Sequence, residues 1–288
     1  MQELKGEVLA EVFAGIEQNV GLFVLILLLA LLNWNGEAQK FKLLISSEVK
    51  LRNIRAFLTI LGGMAISNFT PARTGEYIGR GLLLKKIHPI KVVIATIAGN
   101  LAQVLMTYSL GLVCVSWVLM YTDILGTWSE GSKLGYVAAM FVLIIALVLN
   151  ARKIVAFIKP RLPEKLAETL NIVNTYDRGL YRKVVALAFG RYVVFAVQFY
   201  LLLQMFSGFA LPLGALVLVP VAYLMQSVVP VPAISDVGVR VFVSQLLFGS
   251  YLGEQSILLA VSSLWFINLI LPGLAGTVYL LISTLRNR

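Results

Sequence analysis

Cysteine and histidine are almost missing from this chain: Cys114 and His88 are the only ones in 288 residues. One cysteine excludes an internal disulfide and a cysteine-based zinc site. Cys114 lies in an apolar run, where a packed, inert thiol is expected. A lone histidine cannot pair with a second to hold a metal, and His88 sits beside Pro89 among Lys85, Lys86 and Lys91, the setting of a solvated loop. No metal and no other cofactor is therefore expected. Charge is scarce too, at 13% Asp, Glu, Lys and Arg, about half the roughly 25% of a soluble domain. The early residues lack a basic leader region: Glu3, Glu7, Glu11 and Glu17 stand against Lys5, so no cleavable signal is expected.

What remains is apolar. With 59% hydrophobic residues and a mean hydropathy of +0.88, the chain is too apolar for a soluble fold and reads as a membrane bundle. About 20 apolar residues cross the hydrocarbon core as a helix, and runs of that kind occur at 20–34, 54–69, 92–120, 134–150, 184–208, 211–229 and 256–284. Two shorter stretches, 76–87 and 238–250, reach only about 18–20 Å as helix, half a crossing. The expected fold is an all-α polytopic membrane protein, one transmembrane domain over 1–288 with about seven spanning helices and two short re-entrant half-helices.

The 24 Lys and Arg against 14 Asp and Glu leave a net charge of +10. This excess gathers in alternate connections. Lys40, Lys42, Lys50, Arg52 and Arg55 lie in one, Lys85, Lys86 and Lys91 in another, and a third runs from Arg152 to Lys183. The opposite connections hold Asp123, Glu130, Lys133 and Glu254. Basic connections face the cytoplasm, which puts the acidic N-terminus outside and the chain, as a multi-pass protein, in the inner (cytoplasmic) membrane. Within the third, residues 151–183, Leu162, Leu166, Leu170, Val173, Tyr176 and Leu180 recur at helical spacing, either as a helix lying on anionic lipid or as an ordinary amphipathic connector. No aromatic-basic motif or zinc-finger spacing is present, so nucleic acid is not an expected partner.

Two breaks carry most of the chemistry. One runs from Asn68 through Pro71, Arg73, Gly75 and Glu76 to Arg80; the other runs from Pro230 through Pro232, Asp236 and Gly238 to Arg240. Each makes the tip of a broken hairpin, 54–87 and 211–250, and the sidedness makes the two hairpins enter from opposite faces, tips toward one another. Paired, interrupted helices in inverted halves point to a midplane binding site and suggest an inverted repeat. An ion at the bilayer centre costs roughly 2.5–3.5 kcal/mol, so these charges must pair, meet water or bind something. Arg73–Glu76 and Asp236–Arg240 could be ion pairs that merely lock the hairpins. Three arginines against two acids favour an anionic guest, with Arg73, Arg80 and Arg240 on its phosphate. Glu76 and Asp236 would balance charge or carry a coupling proton. Asn68 lies at the first break, while Asn100, Gln103 and Thr107 share one helix face; these four are candidates to line a cavity, although such residues also serve as interhelical hydrogen-bond glue.

The first break, Thr70-Pro71-Ala72-Arg73-Thr74-Gly75-Glu76 with Arg80, resembles the signature of the lysylphosphatidylglycerol-synthase transmembrane family, the flippase-like membrane proteins. Asn33 to Lys40 and Gly99 to Gln103 with Thr107 resemble its Bacteroidetes-type branch, and Pro232 to Arg240 is similar to the family's second motif. That motif often carries a glycine pair and a following glutamate, where this chain has Asp236 and Val241. The resemblance implies a polytopic protein that moves or handles lipids with charged or phosphorylated head groups. The soluble aminoacyltransferase domain of the full synthases is not expected here, and neither is synthesis of aminoacylated lipid.

The leading expectation is a flippase-like translocase of anionic, phosphorylated lipids. It would not be an enzyme: the sequence has no nucleotide-binding loop, aspartate-rich motif or histidine pair. The expected partners are an anionic membrane lipid and an envelope-lipid biosynthetic protein. The alternative is an integral-membrane accessory subunit or enzyme of polyprenyl-phosphate and cell-envelope lipid metabolism.

Overall fold

An apolar run becomes a helix wherever no proline or turn residue stops it, and here the first run goes further than its apolar stretch. Helix α1 spans Val20–Leu44, 25 residues, about 37 Å at 1.5 Å per residue. Lys40 and Lys42 are therefore helical and not part of a connection. Lys40 is 1% exposed, facing inward with Glu37, and this internal pairing lets the helix carry charge through the bundle. Gly36 lets α1 approach its neighbour: a Cβ there would lie 2.6 Å from Arg191 Cγ.

The computed structural model describes residues 15–70, 73–122, 129–139, 177–229 and 236–286, with positions 13 and 142. Among these, regular structure is entirely helical, with no strand. After α1 comes a hairpin of α2 (Asn53–Ser67) and α3 (Gly75–Leu83), then the long α4 (Pro89–Tyr121) and α5 (Arg178–Ser207). A second hairpin follows, α6 (Ala215–Val228) and α7 (Asp236–Phe248). Finally α8 (Glu254–Trp265) passes through a π-turn at Phe266–Ile270 into α9 (Leu271–Arg286). The span expected at 134–150 is described only in part, helical over 130–139. The connector at 151–176 lies outside the described residues, while Arg178, Arg182 and Lys183 belong to the opening turns of α5, whose N-terminus Asp177 caps by accepting from the Gly179 N–H at 3.1 Å.

Among the described residues, four helices are long and apolar enough to cross a membrane: Val20–Leu44, Pro89–Tyr121, Arg178–Ser207 and Glu254–Ser283. The first arms of both hairpins are shorter than the expected spans. At 15 and 14 residues, α2 and α6 reach about 21–22 Å against a core of roughly 30 Å. Each hairpin is thus built of two part-length helices. The first is closed by glycine: a Cβ on Gly79 would meet Gly62 O at 2.5 Å and Gly63 Cα at 2.8 Å, so α2 and α3 touch backbone to backbone.

Packing places both hairpins against the long helices. α1 lies along α5, α9 along α2, and α6 along α4. Phe195, Phe199 and Tyr223 stack between α5 and α6, and Phe248 closes edge-on against Phe199. The outward surface is also apolar, with Leu28 on α1, Leu101 on α4, Phe242 on α7 and Leu281 on α9 exposed. Apolar residues inside and outside mark a helix bundle whose solvent is lipid. His88, expected in a solvated loop, is exposed and has a structural use: its Nδ1 accepts from the Ile90 N–H at 3.4 Å, capping α4.

The π-turn has a cause in the sequence. Pro272 has no N–H to donate to the carbonyl of Asn268 four residues earlier, so the regular ladder cannot run through this point. The backbone widens, and the Leu271 N–H bonds to the Phe266 carbonyl.

Candidate functional site

Residues flanking the two breaks line one cavity of about 750 Å³. Ser67, Arg73 and Glu76 line it from the first hairpin, and Gln226, Asp236 and Arg240 from the second. The N-termini of α3 and α7 stand at this space, since Glu76 and Asp236 occupy their first turns. Partial positive charge from two helix N-termini therefore faces the same volume. Aromatic walls come from Trp34, Tyr192, Tyr223 and Trp265.

Arg73 is the unusual residue of the tip. Its φ of 57° is left-handed, which costs a non-glycine residue roughly 1–2 kcal/mol. The tip is fastened around it: the Gly75 N–H donates to Thr70 Oγ1 at 2.7 Å, and the Arg73 N–H to the Thr70 carbonyl at 3.2 Å. Its side chain lines the cavity and makes no hydrogen bond or ion pair among the described residues. Glu76 and Asp236 attract it, and Arg240 and Arg191 repel it. Strain of this kind is held where a side chain has to point at a functional space.

The ion pairs differ from one of the two expected locks. Asp236 does hold Arg240, whose Nε donates to Asp236 Oδ2 at 2.8 Å while Nη1 reaches Gln226 Oε1 at 3.5 Å. Glu76, however, pairs with Arg80 one turn along α3, and Arg73 has no ion pair among the described residues. The (i, i+4) spacing on a helix brings those two side chains together, whereas the left-handed turn at Arg73 aims its side chain away.

Arg80, expected on the guest's phosphate, does not reach the cavity. It is 1% exposed and held by its terminal nitrogens: Nη2 donates to Glu37 Oε1 at 3.0 Å and to Glu76, Nη1 donates to Thr96 Oγ1 at 3.4 Å, and the guanidinium carbon lies 4.8 Å from the centre of the Phe41 ring. Arg80 is a tie between α3, α1 and α4. Asn68 is a tie as well, its Nδ2 donating to the Leu269 carbonyl in the π-turn at 2.9 Å. Asn100 is half-buried and lies off the cavity lining, while Gln103 and Thr107 do line it.

The centre of the charge network is Glu37, quoted above only as part of a resemblance. Lys40 Nζ lies 2.7 Å from Glu37 Oε2, Arg80 bonds Oε1, and Arg191 of α5 also bonds Oε2. Arg191 went unnoticed in the sequence, and it links this hub to the cavity it lines. Its Nε donates to the carbonyl and Oδ1 of Asn33 at 3.1 and 3.0 Å, and its Nη1 to Gln103 Oε1 at 3.2 Å. Asn33 Nδ2 in turn donates to Asn268 Oδ1 at 3.3 Å, and Asn268 Nδ2 to Gln198 Oε1 at 2.9 Å. A polar chain thus joins α1, α5 and the π-turn. A single arginine inside an otherwise apolar span was the available signal, because an intramembrane charge marks function by default.

Part-length helix pairs, helix N-termini at a shared polar cavity and a lipid-facing apolar exterior define a polytopic membrane protein with a polar interior cavity. The family model for the lysylphosphatidylglycerol synthase TM region matches residues 4–277, and the chain belongs to that family. Membership connects it to membrane-lipid biology. No curated protein and no solved structure matches it.

Proposed function

We propose that this protein is a flippase-like translocase, in the cytoplasmic membrane, for lipids whose head group is anionic and phosphorylated. The observation that carries this is the unpaired Arg73 guanidinium at a hairpin tip, beside the N-termini of two half-helices in one cavity. Half-helix N-termini aimed at a shared interior site suit an anionic substrate group. Arg73, Arg240 and Arg191 are its ligands in this reading. Glu76 and Asp236 hold the charge balance of the empty site, and Gln103 and Thr107 supply neutral hydrogen bonds. The protein performs no covalent chemistry: a lipid gradient, the proton-motive force or an envelope-lipid biosynthetic partner drives the movement.

The test is leaflet exchange of a fluorescent anionic lipid in liposomes carrying the purified protein. Wild type should accelerate exchange, and Arg73→Gln should abolish the acceleration while leaving detergent-extracted yield unchanged. Equal exchange by wild type, the variant and empty liposomes defeats the proposal.

A further inference from the structure

We infer that the guest's phosphate is a dianion, a phosphomonoester or terminal diphosphate, rather than the monoanionic phosphodiester of common glycerophospholipids. This rests on the anionic-lipid reading of the cavity and narrows it by counting charge.

The site and the hub behind it form one electrostatic unit. Glu37 and Glu76 are shared among Lys40, Arg80 and Arg191, which leaves one positive charge over. Asp236 and Arg240 cancel. Arg73, with no partner among the described residues, leaves a second. Among the described residues, Glu76 and Asp236 are the only acids that line the cavity. Arginine does not shed its proton to escape this imbalance. Two surplus charges at membrane depth are costly until a counter-charge arrives.

A phosphodiester offers one negative charge, whereas a phosphomonoester offers nearly two above its second pKa of about 6. Only the dianion neutralises the unit. Three guanidiniums, those of Arg73, Arg191 and Arg240, line the cavity, and terminal phosphate presents three oxygens to such forks.

The experiment uses purified full-length protein in neutral detergent at about pH 7, where a monoester is largely dianionic. Short-chain phosphatidic acid, phosphatidylglycerol, phosphatidylcholine and inorganic phosphate are titrated, and binding is read from thermal stabilisation. Phosphatidic acid should bind at least about tenfold more tightly than phosphatidylglycerol. Arg73→Gln removes one surplus charge and no protein contact, so the preference should shrink to below about threefold in that variant. Equal binding of phosphatidic acid and phosphatidylglycerol, or an undiminished preference in Arg73→Gln, overturns the dianion and leaves the anionic-lipid reading standing. If neither lipid binds better than phosphatidylcholine, both readings fall. If inorganic phosphate matches phosphatidic acid, the dianion is supported and its source is solution rather than lipid.

Discussion

Replacing Glu37 with glutamine tests whether the hub holds the bundle together. Glutamine keeps the size and one carbonyl oxygen but removes the charge shared by three cations. Their fates differ. Arg80 keeps Glu76 and Thr96, and Arg191 keeps Asn33 and Gln103. Lys40, 1% exposed, has no acid but Glu37 within ion-pair distance among the described residues. Removing one partner of a buried pair costs about 3–5 kcal/mol, chiefly from the charge left behind. At roughly 2–4 °C per kcal/mol for chains of this general size, melting in detergent should fall by about 10 °C. Adding Lys40→Met removes the stranded ammonium, and the double variant should regain more than half of that loss. Thermal unfolding followed by tryptophan fluorescence reads all three proteins. A single variant as stable as wild type, or a double variant no better than the single, would refute the reasoning.

Two other expectations address the tip and the sidedness. Arg73→Gly relieves the left-handed strain at φ 57°, so it should raise stability by up to about 1 kcal/mol while abolishing lipid exchange; melting and leaflet-exchange assays check the two halves, and a loss of stability contradicts the free-guanidinium geometry. A cysteine at Lys86, exposed between α3 and α4, should react only with cytoplasmic reagents, and one at Ser250, exposed between α7 and α8, only with external ones. Labelling of intact cells and inverted vesicles distinguishes the faces, and the reverse pattern at either site inverts that hairpin.

The breaks were legible in the sequence because proline, glycine and both signs of charge interrupt apolar runs there, which membrane depth does not tolerate without a purpose. That the breaks should approach one another was expected from their opposite entry and complementary charges, and residues flanking both line one cavity. Arg80 and Asn68 could not be placed correctly, since a polar side chain near a tip looks the same whether it faces the cavity or ties two helices. Distinguishing those cases needs the partner, and the partners lie far away in sequence: Glu37 and Thr96 for Arg80, Leu269 for Asn68. Glu37 and Lys40 were hidden differently. The stretch Asn33-Trp34-Asn35-Gly36-Glu37-Ala38-Gln39-Lys40 has the composition of a connection, and only Arg191, 154 residues after Glu37, reveals it as interior. The π-turn was signalled only by Pro272, which could equally have kinked or ended the helix.

The carboxylate of Glu37 is oversubscribed. Arg80 takes one of its oxygens, while Lys40 and Arg191 crowd the other. Of the three cations, only Arg191 belongs to the cavity wall. On the anionic-guest reading, an Arg191 drawn toward a head group would leave Lys40 on the oxygen it vacates, and Glu37 would stay neutralised. The hub is thus built to release one guanidinium without orphaning an anion, and the contact it would release is one that ties α5 to α1.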